Sequence, residues 1–192
     1  MQERKYVLAS GSPRRIEMMR AHGIEPAVFP AQIEENLPLI GGMRETVMFL
    51  ALKKAKAVEE AHGGEIEPGS VIIAADTVVY KDEIMGKPQD KADGMRMLSA
   101  LRGTYHYVAT GVALVEAGRQ NARVFAEVTK VWFGDYSDAE LAAYLDTDEA
   151  YDKAGGYAIQ GYFSRHVDRI EGDCDTVIGF PWAAITRELE LL

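Results

Sequence analysis

Val71-Ile72-Ile73-Ala74-Ala75 runs straight into Asp76-Thr77-Val78-Val79-Tyr80, a stretch with five consecutive apolar residues ahead of an acid. A half-buried strand alternates apolar with polar residues. A continuous apolar run containing β-branched residues is instead the pattern of a strand covered on both faces. Asp76-Thr77 follows directly on that strand. In α/β sheets, ligands collect at the carboxyl ends of strands, where polar side chains reach a crevice, so Asp76 is a candidate site residue. The plainer alternative is an aspartate that caps a turn. Val78-Val79-Tyr80, Lys81-Asp82-Glu83 and Ile84-Met85 read as a small hairpin. Just past it, Gly86-Lys87-Pro88 adds a lysine with a rigid neighbour, a short chain distance from Asp76.

Working upstream, Tyr6-Val7-Leu8-Ala9 is a second short buried strand, and Ser10 stands to it as Asp76 stands to its own. Ser12 is a good helix N-cap, Pro13 suits the first helical position and Gly23 closes the helix after His22. Arg14 and Arg15 then occupy the first turn, facing the positive end of the helix dipole at a cost of ~0.3–1 kcal/mol each. A bound anion reverses that sign, because free N–H groups, the hydroxyls of Ser10 and Ser12 and arginine forks all donate to phosphate oxygens. The alternative is a pair of solvated arginines. Ala27 to Phe29 is a further short strand, and a polar loop from Pro30 to Gly42 leads into a long helix from Met43 to Ala61. Val47, Leu50, Ala51, Ala55 and Val58 form one face of it, with Lys54 in the middle of the stripe. Either Lys54 snorkels to water or it points into a cleft toward an anion. Lys53 and Lys56 look like ordinary solvated charges. Glu34-Glu35, in the loop before this helix, can join Asp76 in holding a divalent ion through oxygen ligands.

Downstream, Asp90 caps a helix to Leu101, Tyr107–Val115 pairs with Arg123–Phe133 across a Gly118 turn, and Ser137-Asp138-Ala139-Glu140 is a capping box opening a helix to Leu145. A glycine-rich loop spans Asp152 to Gly161, a strand lies near Phe163 to Ile170, and Pro181 opens a last helix toward Leu191. The loop has the wrong spacing for a Walker motif, and its Gln160 carries both a donor and an acceptor with which to read a base edge. His106 has no matching His or Asp at metal or triad spacing and reads as structural. The whole pattern is α/β with a mixed sheet.

The chain has 192 residues, with 21 Lys+Arg against 30 Asp+Glu and a net charge of −9. Its length, and the lack of any linker or repeat, suggest one domain or one two-lobed unit, and residues 1–192 are read as a single domain. The acidic excess argues against nucleic-acid or membrane-surface partners, since both need a basic footprint. It does not exclude a phosphate ligand, because a local cluster of cations outweighs distant charges screened over ~8 Å. Cys174 is the only cysteine, so no intrachain disulfide forms, and a reducing, cytoplasmic setting fits best. No apolar run reaches the ~18 residues of a membrane span.

Leu8-Ala9-Ser10-Gly11-Ser12-Pro13-Arg14-Arg15, Leu50-Ala51 with Lys54-Ala55, Ala75-Asp76-Thr77-Val78-Val79, Gly86-Lys87-Pro88, Thr110-Gly111-Val112, and Asp152-Lys153-Ala154-Gly155 with Tyr157 and Ile159-Gln160-Gly161 together resemble the Maf family. Its members are nucleoside triphosphate pyrophosphatases, also described as septum-formation inhibitors. The resemblance implies an elongated mixed sheet with flanking helices forming two lobes around a cleft, similar to inosine triphosphate pyrophosphatases. It implies hydrolysis of a nucleoside triphosphate to the monophosphate and pyrophosphate with a divalent metal, Mg or Mn. Carried over, Asp76 is the proton acceptor, Ser10, Arg14, Arg15, Lys54 and Lys87 hold the phosphates, and Glu35 with Asp76 places the metal. The specificity-associated positions map to Arg14, Thr77 and Gln160, a combination that resembles the dTTP and UTP branch. The expected partners are the nucleotide and, as a homodimer, a second copy of the chain. Cys174-Asp175-Thr176 and Tyr162-Phe163-Ser164-Arg165-His166 depart from the family pattern. The competing function is a nucleotide-binding regulator of cell division that acts by occupancy, or a pyrophosphatase for modified nucleotides.

Overall fold

A computed structural model describes residues 4–34 and 41–192. In chain order the elements are β1 (Tyr6–Leu8), α1 (Pro13–Ala21), β2 (Ala27–Val28), α2 (Met43–His62), β3 (Val71–Lys81), β4 (Glu83–Met85), α3 (Lys91–Leu101), β5 (Tyr105–Glu116), β6 (Ala122–Phe133), α4 (Asp138–Leu145), β7 (Val167–Glu171), α5 (Cys174–Ile178) and α6 (Trp182–Glu190). Short 3-10 turns at Ala154–Gly156 and Tyr162–His166 punctuate the stretch between α4 and β7. The strands make a seven-stranded mixed sheet in the order β2-β1-β3-β5-β6-β7, with β4 paired to β3. β1 runs parallel to β2 and β3, whereas β3–β4 and β6–β7 are antiparallel. The mixed α/β architecture read from the sequence is the one observed.

The chain divides into two compact units. One comprises the residues up to Asp76, Thr110–Glu127 and Gly179–Leu192; the other comprises Thr77–Ala109 and Val128–Ile178. In the first unit the continuous apolar run of β3 is explained by its two cores. Val71, Ile73 and Ala75 pack with Leu8, Val112, Leu114, Met19 of α1 and Ile185 of α6. Ile72 and Ala74 pack with Val7, Ala113, Val115 and the α2 residues Ala51, Ala55 and Val58. Alternate side chains of a strand point to opposite faces, so helices on both sides require apolar residues at every position.

The second unit has one aromatic-rich core. Val79, Met97, Leu98, Leu101, Val131, Phe133, Tyr136, Leu141, Tyr144, Tyr157 and Phe163 share it. Asp90 caps α3 by accepting the Asp93 N–H, and the Ser137–Glu140 capping box at the start of α4 is complete, as its sequence predicts. Gly94 lets α3 and α4 close together, since a Cβ there would lie 2.6 Å from Leu145.

The larger departures from the sequence reading are two boundaries and one added helix. β3 does not stop at Ala75 but continues to Lys81, because its hairpin with β4 (Val79 to Met85, Tyr80 to Ile84) holds the backbone extended through a residue type that disfavours strands. The last strand begins at Val167, with Phe163 on the preceding 3-10 turn and buried in the core. The five-residue helix α5 is too short to show a helical period.

Candidate functional site

The turn between β1 and α1 forms the first part of the site. Ser12 occupies the N-cap with extended backbone, yet its side chain makes no capping bond, and the first turn holds no acid. The Ser10 hydroxyl oxygen accepts from the Ser12 N–H and from Arg15 Nη1, both at 3.2 Å. Two N–H donors occupy its lone pairs, which leaves the O–H proton as the group Ser10 can present to an anion. Arg15 also donates through Nη1 to the Ala75 carbonyl at 2.8 Å and through Nε to the Gly179 carbonyl at 3.0 Å. Gly179 exposes that carbonyl from a left-handed turn, at φ 97°. The Arg15 fork therefore braces β1, β3 and the turn before α6 against one another. Arg14, half-buried, precedes it on the same uncapped turn.

Lys54 and Asp76 form the second part. Val47, Leu50, Ala51, Ala55 and Val58 of α2 are buried, as the stripe predicts. α2 approaches the sheet closely enough that a Cβ on Gly111 of β5 would lie 2.3 Å from the Val47 carbonyl group. α2 also packs on β3, with Ala51, Ala55 and Val58 sharing a core with Ile72 and Ala74, and this places Lys54 beside Asp76. Lys54 Nζ donates to Asp76 Oδ1 at 2.5 Å, with the two side chains only 14% and 10% exposed. The ammonium thus turns inward, and the snorkelling alternative does not hold. Lys53 also differs from a simple solvated charge, since its Nζ donates to the Glu34 carbonyl at 2.9 Å. Asp76 shares the α2-facing side of β3 with Ile72 and Ala74, and the pleat directs its neighbour Thr77 to the other side. Ser10, Arg15, Ala75, Asp76 and Lys54 are linked by successive contacts within the first unit.

Lys87 and Gln160 belong to the second unit. Both are exposed, and their segments are stitched together. Gly155 N–H donates to the Gly86 carbonyl at 2.9 Å, and a Cβ on Gly156 would lie 3.0 Å from Pro88. Gly155 and Gly156 adopt left-handed φ of 71° and 75°, which explains the glycine pair. Gln160 sits in a turn closed by the Gly161 N–H on the Ala158 carbonyl, 3.1 Å.

The expected metal ligand Glu35 lies outside the described residues. Among those described, no three His, Cys, Asp or Glu side chains converge as a ligand cluster. Asp76 offers one carboxylate of the kind a hard dication takes, and its Oδ1 already accepts from the Lys54 ammonium. Residue-type reasoning passed over Gly111 and the carbonyls of Ala75 and Gly179. An isolated glycine in an apolar strand does signal close backbone approach, whereas a carbonyl acceptor has no sequence signature.

Among the described residues no helix is long and apolar enough to cross a membrane. The chain resembles the Staphylococcus aureus Ham1 protein, with a TM-score of 0.50, 14% identity and coverage of 97% of this chain and 98% of that one, a likeness of fold. A protein from Bacillus cytotoxicus named dTTP/UTP pyrophosphatase is 40% identical over 188 residues, covering 97% of this chain and 95% of its own. A protein of the same name from Geobacillus sp. is 38% identical over 190 residues, covering 98% of both. The family model described as Maf-like protein matches residues 5–192, which include the braced β1–α1 turn, the Lys54–Asp76 pair and the glycine loop. The chain belongs to the Maf family.

Proposed function

We propose that this protein hydrolyses nucleoside triphosphates, dTTP and UTP, to the nucleoside monophosphate and pyrophosphate. The observation that carries this reading is the inward Lys54–Asp76 pair, connected through Ala75 and Arg15 to the Ser10 turn. A carboxylate beside an ammonium, a serine proton and an uncapped helix N-terminus suits attack on a phosphate anhydride better than binding alone, which has no need of an acid. The names of the curated relatives support the substrate.

In the proposed reaction the Asp76 carboxylate accepts a proton from water as the water oxygen bonds to the α-phosphorus. The bond from that phosphorus to the α–β bridging oxygen breaks, and pyrophosphate leaves with the bond's electron pair. Lys54, Arg14, Lys87 and Ser10 bind the phosphate oxygens and neutralise charge on the leaving group, while Arg15 keeps Ser10 and the Asp76 backbone in place. Asp76 and Glu35 would hold a magnesium or manganese ion, which when bound neutralises triphosphate charge. Gln160 and Thr77 recognise the base. The cytoplasm, where nucleotides are abundant, is the proposed location, in keeping with a single free cysteine.

Incubation with a panel of nucleoside triphosphates and magnesium or manganese tests the proposal. Pyrophosphate with UMP or dTMP is expected; orthophosphate with a diphosphate, or binding with no product, overturns it. Asp76→Asn should lower turnover by ~10²–10⁴-fold while nucleotide binding persists.

A further inference from the structure

Under the loop that carries Gln160 lies a buried polar pair. His106, the second residue of β5, is fully buried, and its Nε2 lies 2.7 Å from the hydroxyl oxygen of Tyr157. Its other nitrogen, Nδ1, is buried without a hydrogen-bond partner among the described residues, so the Tyr157 hydroxyl is the polar contact this ring makes there. Tyr157 is itself 5% exposed and stands edge-on to both His106 and Phe133, with ring centroids 5.3 and 4.8 Å apart. Phe133 also packs against His106 at 5.0 Å, so three rings from β5, β6 and the loop lock together. Burial pushes the histidine down to about 3 and the tyrosine hydroxyl far above its usual range. Both partners therefore stay neutral across the working pH range.

The placement of this pair is what gives it consequence. The Ala158–Gly161 turn, which presents Gln160, begins at the residue after Tyr157. At its far end the Tyr162 N–H donates to Glu149 Oε1 at 3.0 Å, and that carboxylate fills the space a Cβ on Gly161 would need. Upstream, the Gly155–Gly86 bond ties the loop to the Lys87 segment. The turn is thus held at both ends, and the holding group nearest Gln160 on its amino-terminal side is the His106–Tyr157 bond. A ring wedged by packing alone can slide along its neighbours, whereas a directional hydrogen bond from a buried donor selects one depth and one rotation.

We propose that the His106–Tyr157 hydrogen bond positions the Gln160 turn for base selection, so that His106 and Tyr157 are positioning residues for nucleotide specificity. This rests on the reading above in which Gln160 recognises the base. A uracil and a cytosine differ at the group such an amide reads, so UTP and CTP are the probes.

The experiment compares kcat/KM for UTP and CTP in four proteins: the wild type, Tyr157→Phe, the double variant His106→Leu with Tyr157→Phe, and Gln160→Ala. Tyr157→Phe leaves the imidazole without a partner and should lower the thermal midpoint. The double variant leaves no polar group unpaired and should recover it. Both should lose UTP-over-CTP preference by about tenfold, equivalent to ~1.4 kcal/mol, through KM for UTP, with kcat changed by less than about twofold. Should Tyr157→Phe fail to fold, the double variant decides the matter. A double variant with recovered midpoint and wild-type preference makes the pair merely structural and overturns the inference. The Gln160→Ala control separates the two levels. If it keeps the wild-type preference, Gln160 does not read the base and both readings fall. If it loses the preference while the pair variants keep it, only the positioning role falls.

Discussion

Lys54→Met probes the centre of the site. The substitution keeps a long unbranched stem in the apolar stripe of α2 and removes the ammonium, leaving the Asp76 carboxylate, 10% exposed, without the lysine that faces it at 2.5 Å. Removing one member of a buried ion pair costs ~3–5 kcal/mol, because the remaining charge keeps its desolvation and loses that opposite charge. The residual exposure of the two side chains lets water recover part of this, so ~2–4 kcal/mol is the expected loss. For a chain of this size each kcal/mol moves the midpoint by ~2–4 °C, so thermal unfolding should fall by roughly 4–16 °C. Adding Asp76→Asn removes the carboxylate that faced the ammonium and should restore part of that stability. Activity should not return, since both charged groups are then gone. The assay is paired: a thermal melt followed by circular dichroism, and pyrophosphate release with UTP. A Lys54→Met protein that melts within about 1 °C of the wild type, or a double variant no more stable than the single, would refute the view that this pair is desolvated and mutually dependent.

Gly111→Ala drives a methyl group into the Val47 backbone and should cost at least ~1–3 kcal/mol, displacing Lys54 and reducing turnover with it; urea unfolding and initial rates on one preparation check both effects. Arg15→Lys keeps the charge and loses the fork shared by Ser10, Ala75 and Gly179. A brace predicts ~1–3 kcal/mol of lost stability with KM for the triphosphate little changed, whereas a large rise in KM at unchanged stability identifies a phosphate clamp. His106 also sets a pH dependence. Its folded value, lowered to about 3 by burial first and the Lys81 charge second, lies below the ordinary 6.5. The unfolded chain therefore binds the extra proton, and this contribution is full above about pH 6.5 and is lost as pH falls toward 3, at ~1.4 kcal/mol per pH unit. Unfolding free energies at pH 7, 6, 5 and 4 should show a shallower slope in the His106→Leu, Tyr157→Phe double variant.

Much of the framework is legible because it is local. The run Val71–Ala75 announces helices on both faces, and Ser137 with Glu140 announces the start of α4, since each signal is completed within a few residues. The site is less legible because its contacts are long-range. Lys54 interrupts an apolar stripe, and periodicity does not distinguish a lysine that snorkels from one that meets a carboxylate 22 residues away. The partners of Arg15 are carbonyls 60 and 164 residues distant, and every residue possesses a carbonyl. The apolar run ends at Ala75 and Val78–Met85 reads as a separate hairpin, yet the two are one strand, because pairing with β4 keeps the backbone extended through Asp76 and Thr77.

The pleat of β3 bears on how such a site changes over time. Asp76 and Thr77 are adjacent in sequence but lie on opposite sides of a twisted ribbon, one toward α2 and the other away from it. Exchanging the residue at position 77 therefore alters a side chain on the face of β3 turned away from α2 and Lys54. Under the proposed roles, base recognition at Thr77 and proton transfer at Asp76 sit on opposite faces of one strand, and a library that randomises position 77 should yield altered preferences without first passing through inactive proteins.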